Sequence, residues 1–470
     1  MTRAKSTAPV ADVSGPPQRY HVVGIGGAGM SAIATALVGL GHSVTGSDLK
    51  DSPVVERARA LGIHVSIGHS PENLGDADAL AVSTAIPGTN VELVEAERRG
   101  LKVLSRAQIL AGICATRSTA AVAGSHGKTT TSSMLALILR HAGWRPSFII
   151  GGDLNEVGSG AVWEDGEWLV VEADESDGTF LHLPCKAAIL TSVEPDHLEH
   201  WGGVDQLIDG FRRFLAGVEG PKVVCVDDDG AAALATELGA TTYGTTSGAD
   251  LLVGEVELDA SSARFHARLR EGETHTVHLP VPGLHNVMNA AGAMAMAMEL
   301  GVSGADVVAA LARFGGVARR MEFRGMRDGI TFIDDYAHLP GEVESAIAAA
   351  RAGKWSRVIV VFQPHRFSRT AALASSFARA FDDADVAVVT DIYPSGEEPR
   401  PGVSGKLVVD AVSAGAGGPT RGARGGRQPK IVWLPSRLDV VEWLCRELRA
   451  GDLCLTLGAG DLTTLPGEFV

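Results

Sequence analysis

The alternation of short, β-branched apolar runs with helical patterns restricts the fold of this chain more than any other feature. Such alternation is typical of βαβ units, in which parallel strands form a sheet and helices cover its faces. It continues along almost all of the 470 residues, a length for which about three domains are expected. We therefore predict an α/β protein made of three domains.

The points at which this pattern restarts give the predicted domain boundaries. Residues 1–19 are polar and lack an apolar segment, so we predict a disordered tail and no signal peptide. Residues 413–428 are a Gly- and Arg-rich segment of low complexity, which favours a flexible surface loop. The three domains are expected to occupy residues 20–115, 116–318 and 319–470.

Composition argues against several classes of protein. The net charge of −15 makes a general nucleic-acid-binding surface an unfavourable interpretation. The five cysteines form no CxxC pair, so neither a zinc site nor a disulfide framework is indicated, and we expect a cytoplasmic protein. The sequence has no window of about 18 apolar residues, so we predict no membrane span. We expect a monomer or a weak homodimer.

The first glycine-rich segment lies between a strand-like run and a helix-like run, and its residues 24–29 match the GxGxxG pattern. Glycines there allow a diphosphate to approach the backbone and the amino terminus of the helix. Asp48 follows about 20 residues later, at the end of the next predicted strand, where a carboxylate can accept hydrogen bonds from a ribose. This chemistry indicates a nucleotide diphosphate, and it leaves both NAD(P) and a UDP-sugar open as ligands.

A second glycine-rich segment, residues 124–130 (GSHGKTT), also connects a predicted strand with a predicted helix. It is shorter than a Walker A motif, because Val122 stands where that motif needs a glycine. Its backbone N–H groups can still surround phosphates, and Lys128 can reach the β- and γ-phosphates. Thr129 can bind Mg²⁺ through its hydroxyl group. The segment therefore predicts ATP binding, and a simple helix cap is the alternative interpretation.

Polar residues follow two predicted strands of this central block. Glu172 ends the run 168–172, and His197 follows the run 188–193. Ligands of an open parallel sheet gather at the carboxyl ends of its strands. We therefore predict that Glu172 and His197 help to hold Mg²⁺ (or Mn²⁺) near the γ-phosphate. Asp177, later in the acidic run, is expected to be a solvated loop residue.

Two different phosphate loops in one chain, followed by a third α/β block, resemble the Mur ligase family. The resemblance extends from about residue 20 to residue 463, nearly the whole chain. It implies a Rossmann-like amino-terminal domain, a central P-loop-type ATPase domain and a Rossmann-like carboxyl-terminal domain. The segments that carry it are 21–31 (HVVGIGGAGMS), 46–48 (GSD), 83–86 (STAI), 124–130, 172–177 (EADESD), 194–197 (EPDH), 285–289 (HNVMN), 319–320 (RR), 334–338 (DDYAH), 363–366 (QPHR) and 458–461 (GAGD).

The resemblance also assigns ligands to individual residues. The UDP part of a sugar nucleotide would be held by Gly26, Gly27, Ala28, Gly29, Met30, Ser31, Asp48, Ser83, Thr84, Ala85 and Ile86. ATP would be bound by Gly124, Ser125, His126, Gly127, Lys128, Thr129, Thr130, Asn286, Asn289, Arg320 and Asp335. Within the ATP set, Asn286 and Asn289 would recognise adenine. Arg320 and Asp335 would contact ATP only when the third domain closes.

Catalysis and the amino-acid site are assigned in the same way. The metal ligands would be Thr129, Glu172 and His197. The incoming amino acid would meet Tyr336, His338, His365, Arg366 and Arg369. The catalytic residues would be Lys128, Glu172, His197, Arg320, His338, His365 and Arg366. The chain departs from the family at Leu339 and Gly341, where a histidine and a threonine are usual.

The reaction that the resemblance implies is the ATP-dependent ligation of L-alanine to the lactyl carboxylate of UDP-N-acetylmuramate. An acyl phosphate would form first, and ADP and phosphate would be released, in the synthesis of a peptidoglycan precursor. Two alternatives remain beside it. One is a murein-peptide recycling ligase that acts on the same sugar nucleotide, and the other is an NAD(P)-dependent oxidoreductase.

Overall fold

The computed structural model describes residues 10–259, 261–270, 272–415 and 429–470. Strands and helices alternate along these residues and build three sheets, which confirms the predicted α/β class. The described residues form two compact units. One unit contains the residues up to Val253 together with Ala267–His275 and Asn289–Leu311, and the other contains Gly254–His266, Thr276–Met288 and Ala312–Val470.

The first sheet has five parallel strands in the order β3-β2-β1-β4-β5. Because β1 is central, the glycine-rich segment that follows it leaves from the middle of the carboxyl edge, where ligands of such sheets bind. The elements are β1 (Arg19–Val23), α1 (Ala28–Gly39), β2 (Ser43–Asp48), α2 (Pro53–Ala60), β3 (His64–Ile67), β4 (Ala79–Val82), α3 (Val91–Arg98), β5 (Lys102–Ser105) and α4 (Arg106–Ala115).

The second sheet has ten strands in the order β15-β14-β13-β12-β11-β10-β6-β9-β7-β8. Its interior strand β6 is buried along its whole length, and the second glycine-rich segment follows it. The elements are β6 (Ser118–Ala123), α5 (Lys128–His141), β7 (Ser147–Leu154), β8 (Ser159–Val162), β9 (Trp168–Glu172), β10 (Ala187–Leu190), α6 (Leu198–Trp201), α7 (Val204–Ala216), β11 (Lys222–Cys225), α8 (Asp229–Leu238), β12 (Thr241–Gly244), β13 (Leu251–Leu258), β14 (Ala263–Leu269), β15 (Thr274–Leu279), α9 (Leu284–Glu299) and α10 (Gly304–Leu311).

The third sheet has six strands in the order β16-β17-β21-β18-β19-β20, and β16 is its antiparallel edge strand. The elements are β16 (Glu322–Arg327), β17 (Ile330–Asp335), α11 (Pro340–Arg351), β18 (Arg357–Phe362), α12 (Phe367–Leu373), β19 (Val386–Val389), α13 (Lys406–Gly415), β20 (Lys430–Trp433), α14 (Arg437–Glu447) and β21 (Asp452–Leu457).

Strand β18 shows why continuous apolar runs form the interior of these sheets. Val358 and Val360 pack into the hydrophobic cluster on one face, which includes α11. Ile359 and Val361 pack into the cluster on the other face, which includes α14. Side chains of a strand alternate between faces, so a strand covered by helices on both sides must be apolar throughout.

The amino-terminal prediction needs a correction. Residues 1–9 of the expected tail lie outside the described residues, but residues 10–19 are described and belong to the first unit. Ala11 and Val13 are buried, and the Ala11 N–H donates to the Gln108 carbonyl oxygen over 3.2 Å. A disordered tail is therefore wrong for residues 10–19, because Ala11 and Val13 pack against α4.

The second sheet continues in parallel from β11 through β12 to β13. Helix α8 supplies the crossover that the parallel pairing of β11 and β12 needs.

The prediction of a flexible surface loop at residues 413–428 can be compared with the structure only in part. Of the predicted loop 413–428, residues 413–415 end helix α13, and 416–428 lie outside the described residues. No helix among the described residues is both long enough and apolar enough to cross a membrane.

Candidate active site

The second glycine-rich segment forms a tight loop between β6 and α5. Gly124 and Gly127 both have positive φ angles, of 131° and 77°, which other residues rarely adopt. A Cβ atom on Gly127 would also overlap the side-chain oxygen of Asn289, and one on Gly124 would overlap the Thr191 hydroxyl. Both positions therefore require glycine for conformation and for space.

The residues after β10 fix the shape of this loop. The Ser125 N–H donates to the Ser192 carbonyl oxygen, and the His126 N–H donates to the Ser192 hydroxyl oxygen, both over 3.0 Å. The Glu194 N–H donates to the Ser125 hydroxyl over 2.8 Å. The residues that follow a neighbouring strand thus brace Ser125 and His126, two of the predicted ATP residues.

Lys128, the first residue of α5, lies within this loop. Its Nζ donates to the carbonyl oxygens of Gly124 and Ser125, over 2.6 and 3.3 Å. It also lies 2.9 Å from the carboxylate of Glu175, which is buried. Burial opposes the charge on Lys128, but the carboxylates of Glu175, Asp174 and Glu172 outweigh it and raise the pKa of the lysine. Lys128 is therefore a buried cation.

Thr129 and Glu172 come together as the sequence predicted. The Thr129 hydroxyl donates to Glu172 Oε2 over 3.0 Å, and the Gly151 N–H donates to the same oxygen over 2.8 Å. Glu172 is the last residue of β9, which pairs with β6, so the two strands end side by side. This pairing brings a hydroxyl and a carboxylate to the mouth of the phosphate loop.

His197 lies in a second group of possible metal ligands. One ligand atom from each of Asp174, Glu175 and His197 falls within 4.8 Å of the others. The structure thus places His197 with two carboxylates from the acidic run, rather than directly in the predicted set with Thr129 and Glu172. Hydroxyl and carboxylate oxygens suit Mg²⁺ in both groups. The metal ligands remain a prediction.

The two predicted adenine residues lie on α9, and each has a partner. The Thr131 hydroxyl donates to Asn289 Oδ1 over 3.2 Å. The Asn286 side-chain nitrogen donates to the Pro282 carbonyl oxygen over 2.7 Å. Asn289 therefore has a link to the helix that follows the phosphate loop, whereas Asn286 fixes the start of its own helix.

The first glycine-rich loop is braced by the end of β2. The N–H groups of Gly24 and Ile25 donate to the Ser47 carbonyl oxygen, over 2.8 and 3.1 Å. Asp48 Oδ2 accepts the N–H of Gly26 over 2.9 Å. Asp48 thus has a structural contact in addition to the ribose contact that was predicted.

The remaining predicted UDP residues line the same carboxyl edge. Ala28, Gly29, Met30 and Ser31 form the first turn of α1, which has no acidic residue and no side-chain cap. Because no acidic side chain lies in that turn, the positive end of the α1 dipole can attract an anion. Ser83, Thr84, Ala85 and Ile86 form the turn after the neighbouring strand β4.

In the third domain, Asp335 and Arg320 lie beside Tyr336, the first residue of the predicted amino-acid site. Asp335 accepts the N–H groups of Met321 and Ala337, each over 2.8 Å. Burial raises the pKa of Asp335 to about 6, although Arg320 opposes the shift. The guanidinium group of Arg320 lies 5.2 Å from the centre of the Tyr336 ring, within cation–π range.

Three of the residues predicted to bind the incoming amino acid, Tyr336, His338 and His365, form a row of neighbouring rings. The centre of the His338 ring lies 5.5 Å from the centres of both the Tyr336 and His365 rings. Arg369 Nη1 lies 3.1 Å from His365 Nδ1. Burial, His338 and nearby arginines lower the pKa of His365 to about 3. Arg366 is exposed at the start of α12 and has a positive φ of 64°.

The sequence analysis did not predict several residues that lie at these sites. Glu175 pairs with Lys128, Glu342 Oε2 lies 3.2 Å from His338 Nδ1, and the Tyr393 ring stacks on His365 at 5.9 Å. Tyr393 follows β19, so the strand-end argument could have found it. The Glu175 contact spans 47 positions of sequence and has no local signal.

Asp177 corrects another prediction. It was expected to be a solvated loop residue, but its side chain forms an ion pair with Arg106 over 3.3 Å. Asp177 Oδ1 also accepts the Thr179 N–H over 2.9 Å. The partner lies 71 positions earlier, so the sequence alone gave no reason to join the two residues.

Comparison with known proteins now decides the family. The sequence model described as the Mur ligase family catalytic domain matches residues 19–118. The sequence model of the Mur ligase middle domain matches residues 122–297. The sequence model of the Mur ligase glutamate ligase domain matches residues 319–460. The chain belongs to the Mur ligase family. This membership confirms the resemblance and the three-domain description, whereas the domain boundaries at single-residue level remain predictions.

Individual Mur ligases match nearly the whole chain. A UDP-N-acetylmuramate–L-alanine ligase from Pelotomaculum thermopropionicum is 43% identical over 458 residues, which cover 96% of this chain and 97% of the relative. A protein of the same name from Kineococcus radiotolerans is 44% identical over 463 residues, which cover 96% and 95%.

Solved structures of Mur ligases show the same fold. A UDP-N-acetylmuramate-alanine ligase from Thermotoga maritima aligns with a TM-score of 0.80 and 27% identity, and the alignment covers 96% of this chain and 98% of that chain. A murein peptide ligase from Psychrobacter arcticus aligns with a TM-score of 0.70 and 26% identity over the same shares. The alignment therefore extends along nearly all of each chain.

Proposed function

We propose that this Mur ligase joins L-alanine to the lactyl carboxylate of UDP-N-acetylmuramate, with hydrolysis of ATP to ADP and phosphate. The observation that carries the proposal is the grouping of Lys128, Thr129 and Glu172 beside a phosphate loop. This grouping occurs in a chain 43% identical over nearly its full length to relatives named for that reaction. ATP is the expected cosubstrate of the family.

The chemistry explains why a buried cation is needed at the phosphate loop. A carboxylate resists attack by an amine, so its oxygen first attacks the γ-phosphorus of ATP and ADP leaves. The attacking carboxylate and the γ-phosphate are both anionic, and Lys128 is placed to offset their repulsion. The product is an acyl phosphate, whose phosphate is a good leaving group. Lys128 would leave Glu175 for the nucleotide in this step.

The residues beside the loop fit Mg²⁺ or Mn²⁺. The Thr129 hydroxyl and the Glu172 carboxylate are adjacent, and Asp174, Glu175 and His197 converge nearby. Hard divalent cations prefer such oxygen ligands. A cation bound there would supply charge neutralisation between the phosphates and the substrate carboxylate. We propose Thr129, Glu172 and His197 as its ligands, with Asp174 as an additional candidate.

The second step uses the row of rings in the third domain. The amine of alanine attacks the acyl carbon, loses a proton and expels phosphate. We propose His338 as the proton acceptor, since Glu342 Oε2 lies 3.2 Å from its Nδ1 and would orient the ring. His365, whose pKa is about 3, stays neutral and would orient the amine. Arg366 and Arg369 are candidates for the carboxylate of alanine.

The alternatives are less well supported. An oxidoreductase would have no use for the Lys128 loop, and the relatives that match the full chain are named as ligases. A murein-peptide ligase shares the fold, but the alanine-adding relatives match at 40–44% identity over nearly the entire sequence. Because its substrates are a nucleotide sugar and ATP, we also propose a cytoplasmic location. A monomer or weak homodimer remains a prediction.

The test is phosphate release with ATP, UDP-N-acetylmuramate and a panel of amino acids. We expect L-alanine to be the best substrate. Glycine and serine should react at roughly 10–200-fold lower kcat/KM, because one methyl contributes only ~1–3 kcal/mol and a small pocket rejects a hydroxyl weakly. Acidic and bulky amino acids should fail. A preference for a diaminopimelate-containing tripeptide would instead identify the recycling ligase.

A further inference from the structure

Arg106 lies where the ligands of the first sheet are expected to bind. It is the first residue of α4 and directly follows β5, whose neighbours in the sheet are β4 and then β1. The turns after β1 and β4, and Asp48 at the end of β2, share this carboxyl edge. The Ser105 hydroxyl caps α4 by accepting the Gln108 N–H over 3.3 Å, and this cap fixes the position of Arg106.

The side chain of Arg106 contacts the first glycine-rich loop. A Cβ atom placed on Gly29 would lie 3.1 Å from Arg106 Nη1 and 3.4 Å from its Cδ. The guanidinium group therefore packs against the first turn of α1, at the proposed diphosphate site. Residues 24–31 themselves contain no lysine or arginine. The chain has a net charge of −15 and therefore repels anions in general. A cation at this position would offset that repulsion for a bound diphosphate.

Asp177 pairs with the same guanidinium group from the acidic run after β9. Arg106 Nη2 lies 3.3 Å from Asp177 Oδ2, and each side chain keeps 33% of its surface exposed. This distance is long for an Arg–carboxylate bond, and ion pairs that are partly exposed to solvent contribute little to stability. The pair can therefore exchange its carboxylate for a phosphate at small cost.

We propose that Arg106 binds the diphosphate of the sugar nucleotide and that Asp177 is the carboxylate that this diphosphate displaces from the guanidinium group. The inference rests on the proposed function, because it assumes a UDP-sugar at the first glycine-rich loop. Asp177 is two residues from Glu175, the partner of Lys128. Arg106 would thus connect the sugar-nucleotide loop to the segment that holds the ATP lysine.

The test compares Arg106→Ala, Arg106→Lys and Asp177→Asn in the full chain by calorimetry with UDP and with UDP-N-acetylmuramate. Arg106→Ala should weaken the binding of both by about tenfold, as expected for loss of a charge-assisted hydrogen bond. Arg106→Lys should recover part of that loss, because it keeps the charge without the fork. Asp177→Asn should bind UDP at least as tightly as the wild type, because it removes the competing carboxylate.

A purely structural ion pair gives a different pattern. In that case Arg106→Ala and Asp177→Asn would lower the thermal stability together and would change UDP affinity equally, which would overturn the proposal. Uridine is the matched ligand control, because the Arg106→Ala loss should disappear when the phosphates are absent. If the wild type itself fails to bind UDP, the proposed function fails; if wild type and Arg106→Ala bind UDP equally, only this inference fails.

Discussion

Lys128 shows at the scale of one residue how the protein holds the cation that we propose for phosphoryl transfer. Its charge is held between two backbone carbonyl groups and the buried carboxylate of Glu175. We expect Lys128→Ala to lower the rate of phosphate release by at least about a hundredfold, because one preorganised electrostatic contact commonly contributes that much. Steady-state turnover with saturating ATP measures the effect.

The matched control for this prediction is Lys186→Ala. Lys186 is an exposed lysine that donates to the Ser118 hydroxyl over 3.1 Å, and it precedes β10 and so lies at the amino ends of the strands. We expect near-normal turnover from this variant. Near-normal phosphate release from a folded Lys128→Ala protein would contradict the proposed role of the loop.

His365 leads to a prediction about pH. Burial and the cations around it lower its pKa to about 3, below the usual value of 6.5. The folded protein therefore keeps the ring neutral between these values while the unfolded chain protonates it, so this histidine reduces stability as the pH falls from 6.5 towards 3. Replacing Arg369 by Gln removes one neighbouring cation and should raise the pKa.

Nuclear magnetic resonance titration of the histidine rings measures this shift, with His365→Gln used to assign the signal. Arg379→Gln is the control, because Arg379 pairs with Asp382 by two hydrogen bonds of 2.9 and 3.1 Å and is not among the groups that shift His365. An Arg369→Gln titration identical to that of the wild type would show that Arg369 does not perturb the ring.

At the scale of elements, most strands could be predicted from their apolar runs. The bounds of β9 agree with the run 168–172 read from the sequence, because a polar residue, Glu167, precedes this run and another, Glu172, ends it. The strand-end argument placed Glu172 beside the phosphate loop, where the Thr129 hydroxyl donates to it. His197, which the same argument joined to Glu172, lies instead with Asp174 and Glu175. Contacts such as Arg106 with Asp177 could not be predicted, since they depend on how two distant loops meet rather than on any local pattern.

The first glycine-rich loop and β2 match the pattern of an NAD(P) site, although we propose that they bind a UDP-sugar. Asp48 braces the N–H of Gly26, so Asp48→Ala should loosen the loop and weaken UDP binding by roughly tenfold. Calorimetry on the full chain should show binding of UDP and none of NAD. Asp51→Ala is the control, because its carboxylate pairs with Arg59 at the surface. Tight NAD binding that UDP-N-acetylmuramate cannot displace would restore the oxidoreductase alternative.

At the scale of the whole molecule, the residues proposed for one reaction belong to two compact units. Lys128 and Glu172 belong to one unit, and Arg320, Asp335 and His338 belong to the other. An acyl phosphate hydrolyses in water, so the reaction requires a site that excludes solvent while the amine attacks. A single rigid arrangement would have to admit two large nucleotides and also exclude water, and a closing motion satisfies both needs.

We therefore expect the molecule to become more compact when its substrates bind. Small-angle scattering should show a smaller radius of gyration with a nonhydrolysable ATP analogue and UDP-N-acetylmuramate together than with UDP alone. Arg320→Ala should reduce this compaction while leaving UDP affinity unchanged, because Arg320 is proposed to reach ATP only in the closed state. Calorimetry must show that both ligands are bound under the same conditions. With both bound, an unchanged radius of gyration would contradict closure, and the water-excluding site would have to exist already in the unliganded protein.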